Sequence, residues 1–147
     1  MMGFVAKTFD ELTAKEIYEI LKSRAMVFQM EQGIHYVDPD DVDYDSIHIF
    51  RMTDGRVDAY LRAYRTEETA DDTLKIGRVL TLEHGNGLGT ELMKYAIHIL
   101  PKMTGCKKII MDAQKRAEEF YKRLGFVVTS DEYMEEGVVH IDMSLEL

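Results

Sequence analysis

The clearest chemical signal in the sequence is a glycine-rich segment at residues 84–90, which reads HGNGLGT. It lies between a predicted strand and a predicted helix, where backbone N–H groups lack partners within the helix and the helix dipole favours an anion. Glycines also let the backbone approach such a ligand closely. The segment lacks the Lys-Ser or Lys-Thr ending of a P-loop, and Leu92 replaces the third glycine of a dinucleotide fingerprint. It therefore predicts a phosphate-binding loop or a tight connection, and not nucleoside triphosphate hydrolysis.

A second candidate for chemistry is the acidic segment between Gly33 and Ser46, which contains five aspartates. Asp41, Asp43 and Asp45 have the alternate spacing of a calcium loop, but position six is not glycine and position twelve is Met52 instead of a glutamate. We therefore expect no metal site here. The aspartates are interpreted as caps of turns or as groups that attract a cationic substrate.

Length and composition limit the kind of protein that can carry these segments. The 147 residues, 46% of them hydrophobic, predict a single domain over residues 1–147. The formal net charge of -9 argues against a nucleic-acid partner and favours cationic small molecules or basic peptide termini. No signal peptide is visible, and no stretch approaches the ~18 apolar residues of a membrane span. We expect a cytoplasmic protein without a membrane partner, and Cys106, the only cysteine, cannot form an intrachain disulfide.

The first half of the chain contains a strand, a helix and a hairpin. Residues 4–9 predict a short edge strand. Thr13 and Glu16 form a capping box in front of an apolar stripe, which predicts a first helix with Ile17, Leu21, Ala25 and Phe28 on one side. Asp54-Gly55 is a strong hairpin signal between strands predicted at residues 47–52 and 57–64.

The second half alternates strands and helices. Leu74, Ile76, Leu80 and Leu82 recur at period two, interrupted by Arg78, and predict the fourth strand. A helix follows from Leu88 to the region of Pro101 and Gly105, then a strand at 109–111 and a helix at 115–124 that Gly125 caps. Strands at 126–128 and 138–145 complete an α/β (α+β) fold with helices on a mixed sheet.

Two motifs about thirty residues apart resemble those of the GNAT N-acetyltransferases. Gly87 and Gly89 match the two glycines of the family's pyrophosphate loop, and a second element matches at Ala113, Gln114, Phe120-Tyr121 and Leu124-Gly125-Phe126. The N-terminal half and the C-terminal strand are similar to the ElaA-like branch. The matching residues are Val27-Phe28, Glu31-Gln32, Tyr36, Asp38, Asp40, Asp43, His48, Gly77-Arg78-Val79, Tyr133, Glu135, Gly137, His140 and Met143.

The resemblance implies a mostly antiparallel sheet whose fourth and fifth strands splay apart around coenzyme A, with acetyl-CoA as the acetyl donor. It assigns backbone contacts with the pantetheine arm to Leu80 and Leu82. The pyrophosphate would be held by His84, Gly85, Asn86, Gly87, Leu88, Gly89 and Thr90, and the pantetheine neighbourhood would include Gln114 and Tyr121. His84 departs from the Arg or Gln of the family. This change predicts either weaker coenzyme A binding or, with a protonated imidazole at low pH, stronger binding.

Acetyl transfer to an amine requires a neutral nitrogen, a donor for the developing oxyanion and a proton for the departing thiolate. The resemblance makes Tyr121 the proton donor, since a phenol with a pKa near 10 stays protonated at neutral pH. Spacing alone would equally suit helix packing by Phe120 and Tyr121. Glu31 is our first candidate for the general base, before Glu135, His48 and His140, although a surface glutamate without a role is an alternative. The residues expected on the substrate side are Glu31, Gln32, Tyr36, His48, Glu135 and His140, with His48 alternatively satisfying a hydrogen bond in the core.

Two functions follow from these expectations. The first is an enzyme that transfers acetyl from acetyl-CoA to the primary amine of a small molecule or peptide, with a cationic acceptor. The second is a non-catalytic module that binds or senses acyl-CoA, which the change at His84 supports. The final strand, if exposed at a sheet edge, would allow a homodimer by edge pairing.

Overall fold

The structure, a computed structural model, describes residues 3–147; Met1 and Met2 of the predicted domain lie outside the described residues. A π-helix at Ala25–Glu31 continues the first helix, and short 3-10 turns lie at Phe9–Glu11, Val42–Asp45 and Lys115–Ala117. The main elements are β1 (Phe4–Thr8), α1 (Ala14–Arg24), β2 (Ile47–Thr53), β3 (Arg56–Tyr64), β4 (Thr73–Thr81), α2 (Leu88–Thr104), β5 (Lys108–Gln114), α3 (Glu118–Arg123), β6 (Val127–Val128), β7 (Tyr133–Glu135) and β8 (Val138–Glu146). The predicted order of elements is confirmed, and β7 is an additional strand too short to be visible as a pattern.

The strands form one mixed sheet in the order β1-β2-β3-β4-β5-β8-β6, with β7 also paired to β8. Only β4 and β5 run parallel among the strand pairs of residues 3–147, and the other pairs are antiparallel. The predicted α/β (α+β) class with a mostly antiparallel sheet is confirmed. No helix of the described chain has both the length and the hydropathy needed to cross a membrane.

Local sequence signals explain the ends of α1 and the β2–β3 hairpin. The Thr13 side chain accepts a hydrogen bond from the Glu16 backbone N–H at 3.1 Å, and the Glu16 carboxylate accepts one from the Thr13 N–H at 2.8 Å. This reciprocal pair satisfies donors that a helix start otherwise leaves unpaired. Asp54 and Gly55 both have positive φ values, 53° and 77°, as a tight hairpin turn requires.

A bulge in β4 lies next to the point where the sheet opens. Tyr60 pairs with Leu80 but Arg62 pairs with Gly77, so β4 contains one extra residue there, and Arg78 adopts a φ of 53°. A bulge reverses the alternation of faces along a strand. β4 pairs with β5 only from Thr73 to Ile76, and beyond that point the described strands separate. The predicted splaying of the fourth and fifth strands is therefore confirmed.

Two apolar cores lie on opposite faces of the sheet. The larger core contains α2 and one face of the central strands, including Leu74 and Ile76, whereas Leu80 belongs to the smaller core beneath α1. The predicted stripe of α1 is partly wrong. Ile17 and Leu21 are only half-buried, and the face turned to the sheet carries Ile20, Ser23, Arg24 and Val27. Because Arg24 is charged although it is buried, the pattern of apolar residues does not identify this face.

The final strand does not lie at an edge of the sheet. β8 pairs with β5 on one side, and with β6 and β7 on the other. The final strand therefore does not meet the condition of exposure at a sheet edge that a homodimer by edge pairing requires. The short strands β6 and β7 cover the backbone that a homodimer would have used for edge pairing.

Candidate active site

A cleft of about 950 Å³ lies where β4 and β5 separate. Its walls include the end of β4 from Gly77 to Thr81 and the end of β5 from Met111 to Gln114. Because these strands no longer bond to each other, their facing backbone groups border open space. One end of the cleft reaches the glycine-rich loop before α2, and the other reaches the β7–β8 hairpin.

The glycine-rich loop presents the N-terminus of the 17-residue helix α2 to the cleft. Gly85 and Gly87 have φ values of 80° and 81°, and a Cβ built at either position would meet no atom within 4 Å. Both glycines therefore have a backbone conformation that other residues rarely adopt, beside free space for a ligand. Asn86 Oδ1 accepts the Leu88 N–H at 3.1 Å. The next two N–H groups, of Gly89 and Thr90, begin the helix and have no earlier turn to bond to.

The glycine-rich loop at the start of α2 meets α3 at Gly89 and Phe120. A Cβ at Gly89 would lie 3.4 Å from the Phe120 ring, so the absence of a side chain allows α2 and α3 to approach closely. The Tyr121 ring packs edge-on against Phe120 and Phe126, and its side chain lines the cleft. Burial raises the pKa of Tyr121. The phenol is consequently in its protonated form at neutral pH.

His84 forms a contact across the mouth of the cleft. Its Nε2 lies 2.7 Å from Glu31 Oε1, and its Nδ1 lies 3.4 Å from the Thr81 hydroxyl. Both side chains of the His84–Glu31 pair are about half exposed, at 61% and 49%. Glu31 lies at the end of the π-helix, so this contact connects the helix beneath one sheet face to the glycine-rich loop.

Gln114 ends β5 inside the cleft and is fixed at both atoms of its amide. Its Nε2 donates to Gln32 Oε1 at 3.0 Å, and its Oε1 accepts from Arg116 Nε at 2.9 Å. These bonds join the end of β5 to the segment that follows the π-helix. Gln32 and Gln114 both line the cleft, as does Tyr36 a few residues further on.

The other end of the cleft is polar and rests on the face of the sheet opposite α2. Lys75 of β4 pairs with Asp112 of β5 at 2.8 Å. Glu135 and His140 of the β7–β8 hairpin also line this end, with His140 Nε2 3.8 Å from Glu135 Oε2. His140 is 9% exposed, and Gln114 is its register partner on β5. This region combines acidic groups with an imidazole beside the separated strands.

Three arginines neutralise three of the aspartates of the acidic segment. Arg24 bonds to Asp38 and Asp43, Arg62 to Asp40 and Asp43, and Arg78 to Asp38 and Asp40, with contacts of 2.7 to 3.4 Å. The interpretation that these aspartates attract a cationic substrate is therefore wrong for Asp38, Asp40 and Asp43. The interpretation as turn caps is confirmed for Asp40, whose Oδ1 accepts the Val42 N–H at 3.2 Å.

The network of these six charges is stable in its ionised form. Burial disfavours charge on Asp43, but Arg24 and Arg62 outweigh it and hold the pKa of Asp43 below its usual range. Burial likewise opposes the charge of Arg24, and Tyr60, Asp43 and Asp38 together raise its pKa. Above the network, the Arg78 guanidinium stacks on the Tyr36 ring at 4.7 Å, and burial raises the pKa of Tyr36 to about 12. The network is therefore internally neutral, and its members Asp40, Arg62 and Arg78 line one wall of the cleft.

Three of the expected site residues do not line the cleft. Glu31 lies at its mouth and contacts His84. The Leu82 N–H donates to the Asp58 carbonyl of β3 at 2.9 Å, and its side chain packs on the smaller core. His48 is buried, with Nδ1 2.8 Å from the Tyr60 hydroxyl and Nε2 2.8 Å from the Asp43 carbonyl. The remaining expected residues do line it: Gln32, Tyr36, Leu80, His84, Gly85, Asn86, Gly87, Leu88, Gly89, Thr90, Gln114, Tyr121, Glu135 and His140.

Sequence reasoning missed several residues that line the cleft, namely Arg62, Tyr64, Lys75, Arg78, Asp112 and Arg116. A signal existed for Arg62 and Tyr64, because they alternate with apolar residues along β3 and so share one face. Arg78 interrupts the pattern of β4, which is typical of a bulge beside a site. The pairing of these arginines with aspartates up to 40 residues away has no sequence signal.

Comparison with known proteins identifies the family to which this chain belongs. The family model described as an acetyltransferase (GNAT) domain matches residues 48–147. A crystal structure of an acyl-CoA N-acyltransferase from Pseudomonas aeruginosa superimposes with a TM-score of 0.87 at 32% identity, covering 96% of this chain and 97% of that one. The chain therefore belongs to the GNAT acetyltransferase family, whose members use acyl-CoA and an acceptor.

The relatives also indicate the branch. A UPF0039 protein from Schizosaccharomyces pombe is 34% identical over 99% of this chain and 98% of its own length. The protein ElaA of Escherichia coli is 30% identical over 94% of this chain and 92% of its own. The crystal structure of E. coli ElaA superimposes with a TM-score of 0.89 at 28% identity, covering 97% and 99% of the two chains. The resemblance to the ElaA-like branch is thus confirmed.

Proposed function

We propose that this protein transfers the acetyl group of acetyl-CoA to the primary amine of a small molecule or peptide by direct attack of the amine. The observation that carries the proposal is the cleft between the separated strands β4 and β5. It meets the N-terminus of α2 at one end and a cluster of acidic and imidazole groups at the other, with Tyr121 on its wall. An elongated donor and a separate acceptor can therefore approach from opposite ends.

The residues of the loop fit a bound pyrophosphate. Gly85 and Gly87 leave open space where side chains would lie, and the Gly89 and Thr90 N–H groups point from the start of a long helix. Leu80 and Gln114 would border the pantetheine arm between β4 and β5. When bound, acetyl-CoA supplies an acetyl thioester, which is activated toward an amine.

Tyr121 would provide the proton that the leaving sulfur needs. Its burial raises its pKa, so the hydroxyl is protonated when the donor is bound. The phenol would donate this proton to the sulfur as the carbon–sulfur bond breaks, so that no free thiolate has to form in the cleft. The wall formed by Phe120 and Phe126 around the ring limits access of water to this exchange.

The acceptor end favours a cationic amine. Glu135 and Glu136 line it, whereas Asp38, Asp40 and Asp43 of the acidic segment are already neutralised by arginines. An ammonium group would donate hydrogen bonds to these carboxylates, and its charge would draw it toward them. A cytoplasmic location is part of the proposal, because acetyl-CoA is an intracellular metabolite.

The replacement of Tyr121 by Phe tests the proposal. We expect Tyr121→Phe to reduce acetyl transfer to a panel of primary amines by about 10²-fold or more, since positioned proton donors contribute on that scale. Calorimetric affinity for acetyl-CoA should stay within about twofold, because no step of binding requires the hydroxyl proton. Tyr95→Phe is the matched control, since Tyr95 stacks on Phe4 in the larger core, away from the cleft.

A non-catalytic acyl-CoA-binding module is the second candidate, and His84 favours it. The imidazole replaces the Arg or Gln of the family and is already engaged with Glu31. This candidate predicts acetyl-CoA binding by the wild-type protein without turnover of any amine, and equal behaviour of wild type and Tyr121→Phe.

A further inference from the structure

His140 is held in one tautomer by the backbone of its own strand. Its Nδ1 lies 2.8 Å from the Val138 carbonyl oxygen, and a carbonyl can only accept a hydrogen bond. The proton of the neutral imidazole must therefore be on Nδ1. Nε2 then carries a lone pair, and the side chain, although only 11% exposed, lines the cleft.

The neighbours of His140 leave room at Nε2 for one polar group. Glu135 Oε2 lies 3.8 Å from it, beyond the ~3.2 Å limit of a hydrogen bond, so the two acceptors do not bond to each other. A primary ammonium at the cleft end could donate one proton to Nε2 and another to the carboxylate. Because His140 Nε2 and the Glu135 carboxylate are both acceptors, both can accept hydrogen bonds from one cationic nitrogen.

Other charged and polar groups surround the ring without competing for Nε2. Tyr133 of β7 stacks on the imidazole at 6.0 Å and donates its hydroxyl proton to Asp142. On β5, Gln114 is engaged with Gln32 and Arg116, while Asp112 pairs with Lys75 of β4. Each of these partners is already satisfied. Within residues 3–147, Glu135 is the carboxylate that lies within 4 Å of His140 Nε2, so it is placed to share a ligand with the imidazole.

From this arrangement we infer that His140 is the group that takes the proton from the acceptor ammonium, with Glu135 holding the nitrogen beside it. The inference rests on the proposed function. His140 thus takes the role of general base, for which Glu31 was the first candidate. The Glu31 carboxylate contacts His84 at the mouth and does not line the cleft. With its proton held at Nδ1, the His140 imidazole presents a lone pair at Nε2 that can accept the proton.

The proton balance of the transfer closes with these residues. The ammonium gives one proton to His140 Nε2 and becomes a neutral amine. Its nitrogen forms the bond to the acetyl carbon, the carbon–sulfur bond breaks, and the sulfur leaves with a proton from Tyr121. The new amide nitrogen loses its second proton, which restores Tyr121 through water, and the imidazolium returns its proton to solvent. The products are an amide, a thiol and one proton.

A comparison of two amines of similar size distinguishes proton removal by His140 from its other roles. Ethylamine is almost entirely protonated at neutral pH, whereas trifluoroethylamine is largely neutral and needs no base before attack. With His140→Gln, we expect kcat/KM for ethylamine to fall by about 10²-fold or more and its acid limb to disappear from the pH profile. For trifluoroethylamine the expected loss is less than about threefold. Glu135→Gln should raise KM for ethylamine more than it lowers kcat. Glu31→Gln should leave the ratio of the kcat/KM values for the two amines unchanged.

The tautomer can be measured on the unmodified protein, which removes any dependence on how the variants fold. Ring-nitrogen chemical shifts of His140 at about pH 8 should show the proton on Nδ1. A proton on Nε2, an equal loss for both amines in His140→Gln, or a selective loss for ethylamine in Glu31→Gln would each overturn the inference. If wild-type protein binds acetyl-CoA but acetylates neither amine, the proposed function itself fails, and the chemical shifts still show whether Nε2 is free.

Discussion

At the scale of single residues, Arg24 illustrates how buried charges stabilise the wall of the cleft. Its guanidinium is fully buried and bonds to both Asp38 and Asp43. Removal of one partner from a buried ion pair leaves an uncompensated charge, which costs about 3–5 kcal/mol. We expect Arg24→Met to lower the free energy of unfolding by about 3 kcal/mol in urea denaturation, because Arg62 and Arg78 still hold the two aspartates.

Lys22→Met is the matched control for this change. Lys22 is on the same helix and pairs with Glu19, but it is about half exposed, so its loss should stay within about 0.5 kcal/mol. Equal unfolding free energies for the two variants would show that the network does not stabilise the fold.

His48 gives the protein a pH dependence of stability. Burial lowers the pKa of His48, while an unfolded histidine takes a proton near pH 6.5. The unfolded state therefore binds more protons below that pH, and stability falls as the pH is lowered from about 7.5 toward 5. Asp40 and Asp43, with lowered pKa values, lose their contribution only at still lower pH.

Replacement of this histidine should flatten the profile. We expect His48→Gln to be less stable than wild type at about pH 7.5, because it loses bonds to Tyr60 and the Asp43 carbonyl, and to show a smaller decrease toward pH 5. Denaturant midpoints across this range provide the measurement, with the exposed His98→Gln as the control. A His48→Gln profile that parallels wild type would refute the assignment of the slope to His48.

Residue-level prediction from sequence succeeded where the signal was local. The capping box of Thr13 and Glu16 and the turn at Asp54-Gly55 depend on neighbours within three residues, and both are confirmed. The ion network could not be predicted in the same way. Arg78 and Asp38 are 40 residues apart, and neither composition nor spacing specifies which of several arginines will neutralise which aspartate.

At the scale of elements, α2 presents a glycine in the left-handed region at each end. Gly87 precedes its first turn beside the cleft, and Gly105 caps its last turn, with φ values of 81° and 74° and no atom within 4 Å of an added Cβ. Alanine at either position introduces the same backbone strain, on the order of 1 kcal/mol. The two glycines differ in what they face, because Gly87 lines the cleft and Gly105 does not.

We therefore expect Gly87→Ala and Gly105→Ala to lower stability alike, but only Gly87→Ala to weaken acetyl-CoA binding, by about tenfold or more, since the strained loop must give up its orientation toward the phosphates. Thermal unfolding and calorimetry on both variants measure the two effects separately. Equal acetyl-CoA affinities would mean that the loop does not bind the pyrophosphate.

The fourth strand shows why element boundaries were easier to predict than faces. Its apolar residues recur at period two from Leu74 to Leu82, which indicates a strand with one buried side. The bulge at Arg78 adds a residue and transfers Leu80 to the opposite core. The apolar pattern is the same with or without the bulge. The splay of β4 and β5 could therefore be predicted from the family resemblance but not from periodicity.

At the scale of the whole molecule, the order of strands and helices was sufficient for the fold class. The parallel pairing of β4 and β5 follows from the helix α2 that connects them, since a crossover helix returns the chain in the same direction. The position of β8 in the interior of the sheet was not predictable. It depends on the pairing of β8 with β6 and β7, which are only two and three residues long, and strands this short carry no signal for their partners.

The central claim concerns the donor, and the most direct measurement is a calorimetric titration of the wild-type protein with acetyl-CoA, beside coenzyme A and dephospho-coenzyme A. We predict saturable binding of acetyl-CoA in the micromolar range, with a matching rise in thermal stability. Absence of both heat and stabilisation with all three compounds would contradict the account. The cleft between β4 and β5 would then be a structural feature of the fold and not the site of an acetyl donor.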